Sequence, residues 1–293
     1  MRILTLNVQN LEGDPRRQEI LNAELRRLDP DLVSFQEIVQ GPERDQLAEL
    51  LAGTGLHGTH QAQMLAYAPP FSDRYGGTAV ATRWPHRVVE SLDLLVQGEN
   101  ANPWCTLAAV VEVPGEGDML FVATTTSPRF DGESVQERQV VMLTDLDRRH
   151  RRVLPTVIAG DFTVRPDAAS IRYLKGLQSL HGQSVLYHDA WELAGEGPGY
   201  TWTTDNPATR AMMDVIIRQP GFRCRIDYIF VGSAGEGYAH PDAQAPVRSA
   251  ALAFNQPVDG IWPSDHFGVL AELDVSRFSG TRGAEISLPA AGS

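Results

Sequence analysis

Acids, and one imidazole, recur at the ends of short apolar runs in this chain. Glu37 closes Ser34-Phe35-Gln36-Glu37, Asp161 follows Ile158-Ala159-Gly160, and Asp227 follows Ile226. Asp265 and His266 stand side by side in Pro263-Ser264-Asp265-His266, and Asn7 ends the opening run Ile3-Leu4-Thr5-Leu6. In a β-rich domain such runs are buried strands, and side chains at their ends sit where loops carry chemistry on a rigid scaffold. Together they form a set of oxygen ligands plus one histidine. Metal-assisted cleavage of a phosphodiester asks for that set.

The chemistry has three requirements. A cation neutralises the nonbridging oxygens, a base orients or deprotonates water, and donors hold the equatorial charge that grows in the transition state. Hard cations such as Mg²⁺ or Mn²⁺ take oxygen ligands and keep several waters, so one or two carboxylates suffice. Glu37 on its own is an ordinary solvated acid at a strand end; in this company it reads as the leading ligand. Gly160 is expected to let the chain turn sharply before Asp161, aiming that carboxylate into a partly desolvated site where it can act as a base. Helix-capping duty nearby is assigned to Asp167, which leaves Asp161 free for chemistry. In an extended segment Asp265 and His266 would point to opposite sides, so a twist or bulge must bring both to one site. A histidine that holds a phosphorane needs a carboxylate on its other nitrogen, and Asp227 is the candidate.

The elements that position these groups follow from periodicity and punctuation. Arg2–Leu6 reads as a strand, Asp14-Pro15 as a helix start, and Leu21, Leu25 and Leu28 as that helix's inner face. Asp29-Pro30 stops it, and Leu32–Gln36 is the next strand, so the chain opens with a β-α-β unit. A second helix is expected over Glu43–Leu51, and Tyr75-Gly76-Gly77 turns into a strand over Thr78–Thr82. Thr106–Val113 and Met119–Thr124 form a hairpin about Pro114-Gly115-Glu116-Gly117. Ser134-Val135-Gln136-Glu137 has the pattern of a capping box, ahead of a helix whose apolar face is Val135, Met142, Leu143 and Leu146. Thr156–Ala159 is a strand, and Asp167 opens a helix with Ile171 and Leu174 inward. Ile226–Val231 and Gly268–Leu273 are the last two strands. The span from Gly195 to Arg223 reads as a long functional loop.

Composition narrows the field. The 293 residues are 42% hydrophobic and 21% charged, ordinary for a globular protein with a real core. One domain over residues 1–275 is expected, with a Gly/Ser/Ala-rich tail over 276–293. No run is long and apolar enough to span a bilayer, and the apolar start is too short for a signal peptide, so a cytoplasmic monomer is expected. Cys105 and Cys224 read as two buried free thiols. The net charge of −12 disfavours a broad basic surface for nonspecific nucleic-acid binding. It leaves a nuclease open, because a bound divalent cation reverses the local charge of an acidic cleft.

Six blocks, in order along nearly the whole chain, resemble the endonuclease/exonuclease/phosphatase superfamily, which includes DNase I, exonuclease III-type repair enzymes, inositol polyphosphate 5-phosphatases and neutral sphingomyelinases. They are Thr5-Leu6-Asn7-Val8, Phe35-Gln36-Glu37, Gly77-Thr78-Ala79-Val80-Ala81-Thr82-Arg83, Gly160-Asp161-Phe162, Arg225-Ile226-Asp227-Tyr228 and Ser264-Asp265-His266. The resemblance implies an α/β (α+β) fold: a four-layered sandwich of two packed mixed sheets flanked by helices, with the site at one edge. It also implies Mg²⁺ or Mn²⁺ on Glu37 and Asp265 with Asn7 assisting, Asp161 activating water, and Asp227 orienting His266 on the phosphate. The implied partner is a phosphoester, a nucleic acid among the candidates.

Two positions depart from the family pattern. Thr163 stands where the family usually has Asn, and Thr124-Thr125-Thr126 stands in place of Thr-His-Leu. Thr163 and Thr125 are therefore the expected phosphate donors, each with one hydroxyl. Losing a preorganised donor can cost on the order of 3 kcal/mol of transition-state stabilisation. Two other readings share the same residues: a phosphatase or phosphodiesterase for a lipid or small specialised metabolite, and a binding relative with weakened turnover.

Overall fold

Strand alternation divides the apolar residues between two faces. Ile3 and Leu32 turn to one side, whereas Leu4, Leu6, Val33 and Phe35 turn to the other, and each set has its own buried cluster. A sheet with both faces apolar must be covered on both, and this chain does so by stacking two sheets and laying helices outside them. The computed structural model describes residues 1–64, 76–96, 105–219, 221–232 and 247–276.

The first sheet contains β1 (Arg2–Asn7), β2 (Leu32–Ile38), β3 (His57–His60), β4 (Gly77–Thr82), β13 (Val247–Ala253) and β14 (Gly268–Leu273), in the order β13-β14-β1-β2-β4-β3. The second contains β5 (His86–Asp93), β6 (Cys105–Val113), β7 (Gly117–Thr125), β8 (Val157–Asp161), β9 (Tyr187–Asp189) and β12 (Asp227–Gly232), in the order β5-β6-β7-β8-β12-β9. β1 pairs with β2 and β7 with β8 in parallel; the other pairs are antiparallel. Helices α1 (Arg17–Leu28) and α2 (Gln46–Leu51) cover the first sheet through Leu21, Leu25, Leu28, Leu47 and Leu50. Helices α3 (Glu133–His150) and α4 (Ala169–Leu174) cover the second through Val140, Leu143, Leu146, Ile171 and Leu174. The expected four layers are present.

The opening β-α-β unit and the hairpin of β6 and β7 stand as read. Several local expectations do not. Asp14-Pro15 forms a turn rather than the helix start: Arg17 N donates to Asp14 O, and the helix begins at Arg17. Ser134 lies inside α3, which starts one residue earlier behind Gly132, so no capping box forms. Asp167 does not cap α4; Ala168 precedes it without a side-chain cap. The second helix starts at Gln46, where Asp45 accepts from Ala48 N. The span Gly195–Arg223 is not a structureless loop: it holds β10 (Trp202–Thr203), helix α6 (Pro207–Ile216) and the first residue of β11 (Arg223–Cys224). β10 and β11 form a small ribbon that, with α6, encloses its own core of Trp202, Met213, Phe222, Cys224 and Ile226. Helix α5 (Ala190–Ala194) closes the side of the sandwich, with Ala190 and Trp191 in the core between the sheets. Cys105 and Cys224 are buried free thiols as expected. Tyr75 and the tail from residue 277 lie outside the described residues.

Candidate active site

Register brings the first three groups into line. Thr125 on β7 pairs with Asp161 on β8, which pairs with Asp227 on β12. Residues paired across strands share a face, so the three stand abreast at one end of the second sheet. The face is the inner one, since Ala123, Ala159 and Ile229 on the same rows belong to the core between the sheets. Asn7, at the end of β1, reaches across from the opposite sheet: its Nδ2 donates to Asp161 Oδ2 at 3.2 Å and to Glu37 Oε1 at 3.1 Å.

Glu37 joins this cleft by a break in alternation. With Leu32, Ser34 and Gln36 turned inward, regular pleating would send Glu37 to the helix layer. Instead its backbone is left-handed, at φ 60°, and the β2–β4 register shifts between Phe35 and Ile38. The bulge re-aims the carboxylate toward Asn7 and Asn10, whose Nδ2 donates to Glu37 Oε2 at 3.1 Å. Gly76 is required beside it: a Cβ there would lie 2.4 Å from the Glu37 carbonyl carbon.

Gly160 serves close packing rather than a sharp turn. It lies within β8, and a Cβ at this position would come within 2.0 Å of Thr124 O. The turn comes two residues after Asp161, at Thr163, whose φ is 57°. There Thr163 N and Oγ1 donate back to Asp161 Oδ1 at 2.8 and 3.2 Å.

Asp265 and His266 lie in an irregular bend, which resolves the problem of opposite-facing neighbours. Ser264 Oγ donates to Asn7 O at 2.7 Å, and Asn206 Nδ2 donates to Ser264 O at 2.8 Å. Thr209 Oγ1 donates to Asp265 O, and Arg17 Nη1 donates to Pro263 O. The bend is thus tied to β1, α1 and α6 at once. His266 Nδ1 lies 3.0 Å from Asp227 Oδ2, while its Nε2 lies 4.0 Å from Asp161 Oδ2. Asp161, Asp227 and His266 bring ligand-type atoms within 4.8 Å of one another, a group that could hold a metal ion only with the imidazole deprotonated.

The electrostatics are those of crowded acids. Burial, and then the Asp265 carboxylate, push Glu37 up to about 7. Burial, and then Asp227, push Asp161 up to about 6. For His266 burial favours the neutral ring, but Asp227, Asp265 and Asp161 outweigh it and hold the imidazole well above its ordinary value. A cleft of oxygen donors with more acids than cations fits a hard divalent ion. Asn7 Oδ1 accepts from Gln9 N at 2.9 Å, so in this arrangement Asn7 faces both carboxylates as a donor. Glu37, Thr125, Asp161, Thr163, Asp265 and His266 line one cavity of about 230 Å³. The four acids, the amide and the imidazole expected at the site, and both threonines, come together at the same end of the sandwich.

Sequence reading missed Asn10, Arg17, Asn206 and Thr209. Asn10 has only its spacing from Asn7 to recommend it, and the other three act through backbone carbonyls, which no side-chain motif records. Trp202 is buried in its small core, yet it also borders the cavity, with its ring 6.2 Å from that of His266.

A two-sheet sandwich with an acid–imidazole cleft at one end defines a class of phosphoester-cleaving folds. The chain belongs to the endonuclease/exonuclease/phosphatase family, whose model matches residues 4–266. Membership supports a phosphoester hydrolase of the phosphodiesterase or nuclease kind, in a family generally dependent on divalent metals. The fold resembles D. rerio TDP2 complexed with a single-strand DNA product, at 21% identity over 92% of this chain and 97% of that one, with TM-score 0.66. It is equally similar to a humanized D. rerio TDP2 with 14 mutations, at 19% identity, the same coverage and TM-score 0.66. An endonuclease/exonuclease/phosphatase from Bacteroides vulgatus aligns at 18% identity over 93% and 98% of the two chains, with TM-score 0.64. No curated protein matches the sequence. Among the described residues no helix is long and apolar enough to cross a membrane.

Proposed function

We propose that the chain is a Mg²⁺- or Mn²⁺-dependent phosphodiesterase that cleaves its substrate by in-line attack of an activated water. The observation that carries this reading is the placement of His266: Nδ1 is engaged by Asp227 at 3.0 Å, and Nε2 faces the cavity 4.0 Å from the Asp161 carboxylate. Asp161 is the base. Donors from Thr163 and Asn7 hold both of its oxygens, and burial with a neighbouring acid raises its basicity to about 6, suited to accepting a proton near neutral pH. His266 is the donor to the phosphate. Kept protonated by three carboxylates, it presents an N–H toward the nonbridging oxygens as their charge grows.

Thr125 supplies a hydroxyl donor to the phosphate, and Thr163 supplies a second when its Oγ1 turns from Asp161 Oδ1, which Thr163 N still holds. Glu37 and Asp265 are the proposed cation ligands, with Asn7 and Asn10 orienting Glu37. A bound divalent ion would polarise the phosphoryl oxygen and neutralise the acids around it. The D. rerio neighbour holds a single-strand DNA product, and a diester of that chemical kind is the substrate class we favour.

The test is hydrolysis of bis-p-nitrophenyl phosphate with Mg²⁺, Mn²⁺ or Ca²⁺, compared with Asp161→Asn. Removing a general base is expected to lower the rate about 10²- to 10⁴-fold with the circular dichroism unchanged. An Asp161→Asn protein that keeps most of its activity would overturn the base assignment. Turnover indifferent to chelator would overturn the metal.

A further inference from the structure

The catalytic cavity, about 230 Å³, adjoins a larger one of about 680 Å³; Thr163 and Phe130 line both. The larger cavity is walled by side chains the proposed mechanism does not use: Phe130, Val164, Ile217 and Phe222, with Arg165 beside them. Phe130 is 49% exposed and stacks on Trp202 at 5.6 Å and 25°. The Arg165 guanidinium lies 5.2 Å from the centre of the Phe222 ring. Asp131, Glu133 and Asp167 outnumber Arg165 among the charged residues of the lining.

We propose that this second cavity is a substrate subsite for an uncharged planar ring carried on one ester arm of the diester. The inference rests on the function proposed above and names what lies beyond the phosphate. Aromatic and guanidinium faces favour a flat partner, which stacks on them with little loss of conformational freedom. The acidic surroundings, in a chain of net charge −12, oppose an arm that bears further phosphates. An arm leaving a phosphate held between Asp161 and His266 passes Thr163, the residue common to both cavities, and meets Phe130 next. A nucleobase and a simple aryl group share this chemistry.

The experiment measures dissociation constants by ligand-observed NMR, using Asp161→Asn protein with Mg²⁺ so that nothing is consumed. The probes are dimethyl, methyl phenyl and methyl hexyl phosphate, and the methyl ester of thymidine 5′-phosphate. The ring-bearing esters are expected to bind about tenfold or more tighter than dimethyl phosphate, the scale of stacking on an aromatic platform. The larger gain of the two identifies the source of the ring. Ile217→Trp, which fills the cavity, should erase that gain, and Phe130→Ala, at an exposed position that tolerates truncation, should reduce it severalfold. Dimethyl phosphate should bind the Ile217→Trp protein and its Asp161→Asn parent alike. A hexyl arm gaining as much as the phenyl arm, or a ring gain that survives both substitutions, overturns the subsite. Failure of the wild type to hydrolyse bis-p-nitrophenyl phosphate would instead overturn the proposed function, and the ring preference would still be decided by binding.

Discussion

Two buried carboxylate sites face different fates in this molecule. Under the second sheet, Asp147 accepts from Thr156 Oγ1 at 2.6 Å through one oxygen and from the Tyr187 hydroxyl and Arg151 through the other. Each oxygen is matched by a donor, and the charge is paired with a guanidinium. At the end of the sandwich, Glu37, Asp161, Asp227 and Asp265 gather around one imidazole, and Asp227 Oδ1 is buried with no hydrogen-bond partner among the described residues. The first arrangement is complete and holds α3 to the sheet. The second is incomplete by itself, and Glu37 and Asp161 resist ionisation until something positive arrives. Burial alone therefore does not distinguish the acids proposed to carry chemistry; an unmet demand for donors or cations does.

The comparison is sharpest where one carboxylate is removed from each site. Asp147→Ala leaves Tyr187, Thr156 and Arg151 without their acceptor, and a loss of about 3 kcal/mol or more is expected in urea unfolding. Activity per folded molecule should survive; a folded but inactive Asp147→Ala protein would break the distinction between the sites. A slightly smaller effect is expected from metal. At Mg²⁺ a hundredfold above its dissociation constant the wild type should gain about 2.7 kcal/mol over protein in chelator. Glu37→Gln should lose most of that gain in thermal unfolding, and Asp147→Ala should keep it. Equal Mg²⁺ stabilisation of Glu37→Gln and wild type would remove Glu37 from the ligand set.

Thr163 offers a third, gentler test. A β-branched residue is strained at φ 57°, where asparagine is tolerated. Thr163→Asn is expected to add about 1 kcal/mol of stability and, by restoring an amide donor, to raise the rate. A slower and less stable variant would show that the hydroxyl suits this chain's own substrate.

His60 should show the smallest effect. Burial lowers its pKa, and its ring is placed between Ile38 O at 2.8 Å and Ala62 N at 3.1 Å, an arrangement for the neutral form. The unfolded histidine binds its proton more readily, so this contribution is full above pH ~6.5 and declines as the pH falls toward the folded value. Unfolding free energies at pH 7.5 and 5.5 should differ more for the wild type than for His60→Gln. Equal differences would assign the acid sensitivity elsewhere.

How much was legible in the sequence follows the layers of the fold. The interior strands β1, β2, β4, β6, β7, β8, β12 and β14 were all readable, because strands covered on both faces are apolar throughout. The strands passed over include β3, β5, β9 and β13, which are the four sheet edges. An edge strand such as His86–Asp93 is half in water, so its polar residues blur the pattern. The span from Gly195 to Arg223 hid α6 for a related reason: Met212 and Val215 are exposed, so the helix shows no clean inward stripe. Capping was read worst, since the residue types at Asp14, Ser134 and Asp167 fit caps whose backbone geometry the chain does not adopt.

Residue types and their order along the chain determined which side chains were available for phosphoryl chemistry and which strands would carry them, because burial selects apolar runs and leaves polar groups at their ends. Tertiary structure alone decided that they meet. The left-handed backbone at Glu37, the register that sets Asp161 beside Asp227, and the bend that delivers His266 all depend on contacts between segments distant in sequence. The neighbouring ring-lined cavity is of the same origin: Phe130, Ile217 and Phe222 acquire a shared purpose only once folding has set them around one space.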